Sequence, residues 1–100
     1  MDYLCFGEIL FDILSGQRKL GGAPLNVAAH LAKLGFKGSM VSSVGDDDLG
    51  NEAITSIKKI GIDSSLISIS SKETGRADIT LKDGDADYIF NDDSAWDNIP

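Results

Sequence analysis

The sequence has 100 residues and a formal net charge of −7, from nine Lys or Arg residues and sixteen Asp or Glu residues. A chain of this length forms at most one small domain, whose core is only marginally stable by itself. The basic residues are scattered, whereas a surface that follows a phosphate backbone needs them clustered, which argues against nucleic-acid binding. The single cysteine, Cys5, cannot form an internal disulfide, and no apolar run approaches the ~20 residues of a membrane span. We therefore expect a cytoplasmic protein with neither nucleic acid nor membrane as a partner.

The first 70 residues alternate between strand-like and helix-like patterns. Apolar runs at residues 3–6, 40–44 and 66–69 are typical of buried strands. Helical patterns at residues 23–34 and 48–60 lie between these runs. Strands that alternate with helices predict a parallel sheet with crossover helices, which is an α/β fold.

Both helices have recognisable ends. Pro24 suits the first turn of a helix, and Gly35 suits the position just after the last turn. The acidic run at residues 46–48 supplies capping oxygens for the second helix, which Gly61 ends. The predicted apolar face of the first helix is Val27, Leu31 and Leu34, with Ala28 and Ala32 on an adjoining stripe, and that of the second helix is Leu49, Ala53, Ile54, Ile57 and Ile60.

A different pattern follows residue 74. Apolar and polar residues alternate at 77–81, and a second strand-like run follows at 88–90. The Asp-Gly pair at 83–84 between them predicts a hairpin. Such a pair exposes one face, so we place it in a small accessory sheet, joined by the strand-like stretch 9–14. The remaining segments, 15–17 and 92–100, have the composition of a turn and of a loop.

A glycine pair opens the first helix and is the first candidate for a binding site. Gly21 and Gly22 would let the backbone approach a ligand closely, and the helix N-terminus that follows presents unpaired N–H groups. Asn26 adds a side chain that both donates and accepts hydrogen bonds. The segment lacks the Gly-Lys-Ser/Thr of a Walker A loop. These residues suit a neutral, hydroxyl-rich ligand as well as an anion, but a tight strand–helix turn explains the glycines equally well.

Asp12 is the second candidate, because it interrupts an apolar run. A carboxylate there must face water or hold a partner, since burying it alone is costly. It could accept hydrogen bonds from two neighbouring sugar hydroxyls, or it could simply be solvated on a half-exposed strand. No His, Cys or acid completes a metal site or a catalytic triad around the single histidine, His30.

Several segments together resemble the ribokinase-like (PfkB) carbohydrate kinases. Residues 21–35, from Gly-Gly-Ala-Pro to Lys-Leu-Gly, closely resemble the first signature of that family. Residues 7–12 are similar to its opening motif, and residues 44–50 to its next landmark. The Thr-Gly-Arg-Ala at 74–77 and the hairpin after it resemble its lid sheet. The Ala-Pro after the glycine pair is most similar to fructokinases.

The resemblance implies a Rossmann-like three-layer α/β/α core of the ribokinase type, with a small β-sheet lid. Core residues would be 1–8 and 21–70, and lid strands would be about 9–20 and 74–91. It also implies that Asp12, Gly22 and Asn26 contact sugar hydroxyls while Gly21 shapes the loop. ATP and Mg²⁺ are the implied cofactors, and a homodimer through the lid sheet is the implied assembly.

The sequence departs from the family in one respect. The late Asp-Thr-x-Gly-Ala-Gly-Asp motif, which carries the catalytic base and the anion hole, is absent from these 100 residues. We therefore expect no catalytic residue here and no phosphoryl transfer by this segment alone, since that reaction depends on those groups. The expected full-length function is ATP-dependent phosphorylation of a primary hydroxyl of fructose. The alternatives are a 2-keto-3-deoxygluconate, ribose or nucleoside kinase, and a sugar-binding or interaction module without catalysis.

Overall fold

The computed structural model describes residues 2–100, so Met1 of the predicted core segment lies outside the described residues. Two separate sheets and two α-helices make up this part of the chain. In chain order the elements are β1 (Tyr3–Phe6), β2 (Leu10–Leu14), β3 (Gln17–Gly21), α1 (Ala23–Lys33), β4 (Gly38–Gly45), α2 (Asp48–Ile60), β5 (Ile67–Ser70), β6 (Gly75–Lys82), β7 (Asp85–Phe90) and a 3₁₀ helix (Ala95–Asn98).

The first sheet is parallel, with the strand order β1-β4-β5. The chain crosses this sheet in one direction, and crossover connections are almost always right-handed, so both helices are expected on the same face. The core agrees, because buried residues of α1 and α2 form one cluster with Met40 and Val44 of β4. The predicted α/β fold is therefore confirmed. Neither helix of residues 2–100 is long and apolar enough to cross a membrane.

The leading apolar stripe predicted for α1 is wrong, and the adjoining stripe with Ala28 and Ala32 packs against the core instead. Leu25 and Ala28 are the buried residues of this helix, whereas Val27 is 55% exposed and Leu34 is 62% exposed. The helix has apolar residues on two adjoining stripes, and periodicity cannot decide which one faces the sheet. The stripe with the small Ala28 lies against β1, where the Tyr3 hydroxyl donates a hydrogen bond to the Ala28 carbonyl at 3.2 Å.

The ends of α2 agree with the prediction. Asp47 is the N-cap, and its carboxylate accepts a hydrogen bond from the Gly50 N–H at 2.8 Å. Gly61 ends the helix in the left-handed conformation, with φ of 99°. Ala53 and Ile57 are fully buried, but Ile60 at the last turn is exposed. The predicted apolar face is therefore correct except at its C-terminal end.

The second sheet has four strands in the order β3-β2-β6-β7. Strand β2 is antiparallel to β3 and parallel to β6, and β6 forms the predicted hairpin with β7. Asp83 and Gly84 both have positive φ, as a two-residue hairpin turn requires. Sequence reasoning placed residue 17 in a turn. Gln17 instead begins β3, and the turn consists of Ser15 and Gly16, which also have positive φ.

The C-terminal stretch is more ordered than the predicted loop. Ser94 and Asp97 form a capping box around the 3₁₀ helix, in which the Ser94 N–H donates to Asp97 Oδ2 at 3.1 Å. The Ala95 N–H donates to the Glu73 carbonyl at 2.6 Å, and Ala95 is fully buried. This short helix therefore packs beside the start of β6.

Candidate functional site

The loop after β1 and the start of α1 pack against each other backbone to backbone. Gly22, the N-cap of α1, has φ of 112°, and a β-carbon on it would lie 2.6 Å from the Glu8 carbonyl oxygen. Gly7 has φ of 139°, and a β-carbon on it would lie 2.8 Å from Cγ of Pro24. Only glycine fits at both positions. The contact lies at the carboxyl end of β1, the edge of a parallel sheet where ligands usually bind.

Asp12 lies on β2, close to Gly21, the residue before Gly22. Its register partners are Lys19 of β3 and Ala77 of β6. A β-carbon on Gly21 would lie 3.7 Å from Asp12 Oδ2, so the carboxylate reaches over Gly21. The side chain is half-buried, and within residues 2–100 no protein group donates a hydrogen bond to it or pairs with its charge. Its oxygens are left available to a ligand.

Asn26 lies one turn into α1. Its backbone N–H donates to the Gly22 carbonyl at 2.9 Å, and its side chain is exposed. No side chain caps the N-terminus of α1, and no acidic residue lies in its first turn. The helix therefore presents backbone donors near Gly22 and an exposed amide in its first turn, while Asp12 presents acceptors over Gly21. Donors and acceptors together suit a ligand with several hydroxyl groups.

A cavity of about 300 Å³ adjoins Asp12 on the second sheet. Its volume lies at the lower end of the range for small-molecule sites. The lining does not include Gly22 or Asn26; it consists of Asp12, Leu14, Gln17, Arg18, Lys19 and Ile79. A larger cavity of about 480 Å³ lies at the opposite, amino ends of the parallel strands, between Lys37 and Asp63, and contains none of the predicted site residues.

Sequence reasoning missed a second function of Asp47, which is its contact with Thr74. The Thr74 hydroxyl donates to Asp47 Oδ1 at 2.6 Å, and the Thr74 N–H donates to Asp47 Oδ2 at 3.0 Å. The same hydroxyl accepts a hydrogen bond from the Gly45 N–H at 2.8 Å. We call Gly45, Asp47, Gly50 and Thr74 the Asp47–Thr74 cluster. It joins the end of β4, the start of α2 and the entry to β6.

The residues just after Thr74 are also fixed. A β-carbon on Gly75 would clash with the Trp96 ring, so the two are in close contact. Asn91 follows β7, and its side-chain amide donates to the Thr74 carbonyl at 3.0 Å. The Asn91 side-chain oxygen accepts the Arg76 N–H at 2.8 Å. The start of β6 is therefore held from three sides.

The hydrogen bonds at Asp47 change its acidity. Partial burial alone would raise the pKa of the Asp47 carboxyl, but the donors from Thr74 and Gly50, with the charge of Arg76, outweigh it. The pKa of Asp47 is therefore lower than its ordinary value, and the carboxylate form is favoured in the folded protein.

The acidic residues are the candidate ligands for a metal ion. In the stretch from residue 2 to residue 100, no group of three or more His, Cys, Asp or Glu side chains is arranged to hold a metal ion. The acidic run 46–48 is accounted for by the helix cap and the Thr74 contact at Asp47. These residues therefore do not fit a resident Mg²⁺.

The chain belongs to the pfkB family of carbohydrate kinases, because residues 3–98 match the pfkB family carbohydrate kinase profile. A sugar kinase from Pyrococcus horikoshii is 31% identical over 105 residues, which is 93% of this chain and 34% of that protein. The crystal structure of the same protein in complex with ATP has a TM-score of 0.85, with 93% of this chain covered. The ribokinase-type fold is confirmed by this likeness.

Two further relatives carry more specific names. The crystal structure of a fructokinase with bound ATP from Xylella fastidiosa is 34% identical, with a TM-score of 0.84, and covers 94% of this chain and 31% of that chain. The 2-dehydro-3-deoxygluconokinase of Bacillus subtilis is 37% identical over 73 residues, which is 73% of this chain and 22% of that protein. The chain spans about a third of the length of the curated relatives that it matches along most of its sequence.

The lowered pKa of Asp47 predicts a specific dependence of stability on pH. Its contribution to the free energy of unfolding is fully present above the pKa of the unfolded chain and is lost as pH falls through the lower, folded pKa. Asp47→Asn should therefore be less stable than the wild type near pH 7, and the difference should shrink between about pH 5 and pH 2. Urea unfolding of the two proteins at a series of pH values measures the stability difference near pH 7 and its decrease at lower pH.

Two other carboxyl groups, those of Asp63 and Asp93, also have lowered pKa values. The stability of the variant is therefore compared with that of the wild type at each pH. The Ser65 backbone lowers the pKa of Asp63, and Asn98 lowers that of Asp93. Both are unchanged in the variant and cancel in the difference. A difference between the two proteins that stays constant with pH would contradict the assignment to Asp47.

Proposed function

We propose that the protein containing this chain phosphorylates a primary hydroxyl of a sugar with ATP, and that fructose is the acceptor. The observation that carries the proposal is the Asp12 carboxylate, which reaches over Gly21 and has no donor among residues 2–100. Membership of the pfkB family supports a carbohydrate as the substrate class. The fructokinase likeness supports fructose as the particular sugar.

In this proposal Asp12, Gly21, Gly22 and Asn26 form the sugar site. The two oxygens of Asp12 accept hydrogen bonds from neighbouring hydroxyls, and such charge-assisted bonds contribute about 1.5–3 kcal/mol each. Gly22 brings the backbone within reach of the ligand, and Asn26 donates or accepts from the other side. Together they orient the sugar so that one hydroxyl faces the transferred phosphate, which is the main contribution a protein makes to phosphoryl transfer.

The second sheet is the proposed lid over this site. It carries Asp12 on β2, and its hairpin β6–β7 extends beyond it. Closure of such a lid excludes water from the reaction and limits hydrolysis of ATP. The lid strands and the core segment with β1, β4 and β5 are thus the two functional parts of the proposed enzyme.

The proposal assigns neither the catalytic base nor the anion hole to these residues, because the late Gly-Ala-Gly-Asp motif is absent from the 100-residue sequence. The relatives from Pyrococcus horikoshii and Xylella fastidiosa have been crystallised with ATP, which supports ATP as the phosphoryl donor. Mg²⁺ would neutralise the phosphate charges when bound with ATP. The proposed location is the cytoplasm, where ATP is available.

A second acceptor, 2-keto-3-deoxygluconate, is favoured by one observation. Lys19 lies opposite Asp12 in strand register and lines the same cavity. Within residues 2–100 the Lys19 ammonium is not part of any ion pair. A free cation beside the sugar site would attract the carboxylate of an acidic sugar, and the Bacillus subtilis relative acts on such a sugar by name.

Removing the Asp12 carboxylate should impair use of the sugar. We expect Asp12→Ala in the protein from its complete reading frame to lower kcat/KM for the sugar about a hundredfold or more, the effect of losing two charge-assisted hydrogen bonds. Steady-state kinetics with sugar and ATP varied in turn measure this. Asp85→Ala removes an exposed carboxylate from the far end of the same sheet and should leave kcat/KM unchanged. Sugar turnover by Asp12→Ala at the wild-type rate would refute the proposed role of Asp12.

The acceptor can be identified with a panel of fructose, 2-keto-3-deoxygluconate, ribose and adenosine. We expect fructose to have the highest kcat/KM, and Lys19→Met to change that value by less than about threefold, since fructose carries no charge for the ammonium to meet. A preference for the acidic sugar that Lys19→Met abolishes would identify the second acceptor instead. Absence of phosphorylation of all four, with sugar binding retained, would favour a non-catalytic sugar-binding module.

A homodimer through the lid is the proposed assembly. All six residues of β7 are exposed, and β7 is an edge strand whose backbone can pair with another strand. The apolar side chains that lie more than half exposed at this edge are Leu81, Tyr88, Ile89 and Phe90. We expect light scattering to give twice the monomer mass, and Tyr88→Lys with Ile89→Lys to give the monomer mass, because edge lysines oppose strand pairing. A monomeric wild type would contradict this assembly.

A further inference from the structure

The Asp47–Thr74 cluster lies at the point where the chain passes from the first sheet to the second. Asp47 accepts three hydrogen bonds, from the Gly50 N–H, the Thr74 N–H and the Thr74 hydroxyl. The Thr74 hydroxyl in turn accepts the Gly45 N–H, so it both donates and accepts. Thr74 is fully buried. Each of its hydrogen bonds to Asp47 and Gly45 spans 27 or 29 residues of sequence, so the cluster ties together parts of the fold that local structure does not connect.

The cluster has no room to rearrange. A β-carbon on Gly45 would lie 2.6 Å from Asp47 Oδ2 and 2.6 Å from the Lys72 carbonyl oxygen. A β-carbon on Gly50 would lie 3.0 Å from the Thr74 hydroxyl and would clash with the Gly45 carbonyl. The backbones of β4 and α2 therefore approach Thr74 closely. If the buried Thr74 hydroxyl moves, it loses its hydrogen-bond partners and finds no water to replace them. The free-energy cost is then larger than that of weakening one hydrogen bond.

Thr74 is coupled to Asp12 through the ladder of the second sheet. Gly75, the next residue, pairs with Leu10, and Ala77 pairs with Asp12 in parallel register. The rise of about 3.3 Å per residue puts Ala77 about 10 Å along the strand from Thr74. A shift of Thr74 therefore moves β6, and the hydrogen-bonded β2 with it. The ion pair between Arg18 of β3 and Glu52 of α2 also links the second sheet to the core, but it is exposed and contributes little.

We infer that Asp47 and Thr74 are positioning residues, which fix the base of β6 and thereby hold the Asp12 carboxylate over Gly21. Their role is indirect, because they act on Asp12 through β6 and β2 and not by contact with the sugar or ATP. The kinetic consequence rests on the proposed function, since it assumes that Asp12 binds the sugar. The mechanical consequence, that loss of the Thr74 hydroxyl loosens β6 and β2 before the rest of the fold, does not depend on any activity.

The test compares four variants of the protein made from its complete reading frame. Thr74→Val keeps the shape of the side chain but removes both hydrogen bonds of the hydroxyl, whereas Thr74→Ser keeps the hydroxyl. Asp47→Asn keeps one acceptor oxygen and is the milder variant to use if Thr74→Val does not fold. Thr55→Val is the matched control, because within residues 2–100 the Thr55 hydroxyl bonds only to the Asn51 carbonyl, on the exposed side of α2.

The first measurement is amide hydrogen exchange resolved by segment. We expect Thr74→Val, or Asp47→Asn in its place, to raise exchange in β6 and β2 about tenfold or more, while α1 and residues 38–44 of β4, which precede the Gly45 amide that bonds to Thr74, stay within about threefold. Thr74→Ser and Thr55→Val should leave all four segments unchanged. Unchanged exchange in β6 and β2, or an equal rise throughout the protein, would overturn the inference in favour of no role or a merely global one.

The second measurement is the kinetic split between the two substrates. A displacement of Asp12 by about 1 Å should raise the sugar KM about tenfold or more, while the KM for ATP stays within about twofold. Thr74→Ser should restore the sugar KM. Local loosening with an unchanged sugar KM would overturn the positioning role. If the wild type phosphorylates no sugar, the proposed function fails, and the exchange measurement still decides whether the cluster fixes β2.

Discussion

The rest of the structure depends on the close backbone approach between the loop after β1 and the first turn of α1. Gly22 can adopt its positive φ against the Glu8 carbonyl, and Gly7 leaves space for Pro24. The chain leaves this point after Gly7, runs out along β2, returns along β3 and comes back to it at Gly21. The β2–β3 hairpin therefore begins and ends at one fixed contact. Asp12 lies near that contact and is held over the glycine pair.

Local chemistry predicted the helix ends and the hairpin, because each signal acts within a few residues. Asp47 caps α2 and Gly61 ends it, as the sequence indicated. The start of β3 was misplaced in a turn because the first three residues of this strand are polar and exposed, so it lacks the alternation that marks a half-buried strand. The buried face of α1 was mistaken because two apolar stripes compete, and the choice between them depends on the sheet that the helix meets.

The candidate site was also predictable only where its signals are local in the sequence. Asp12, Gly21 and Gly22 stand out because a carboxylate in an apolar run and a glycine pair before a helix are visible locally. The contact between Asp47 and Thr74 spans 27 residues, and nothing in either segment specifies the other. The cap prediction accounted for the bond to Gly50 only. A side chain with one evident local role can therefore carry a second, long-range one that only the fold makes visible.

The two aspartates, Asp12 and Asp47, show how the fold gives two partly buried carboxylates different surroundings. The oxygens of Asp47 accept three hydrogen bonds from the protein, and this saturation is what lowers its pKa and makes it part of the framework. Asp12 is also partly buried, yet the protein offers it no donor within residues 2–100. A carboxylate withdrawn from water without a partner is destabilising unless a ligand provides the missing donors. Under the proposed function, a polyol would provide several such donors at the spacing of adjacent hydroxyls.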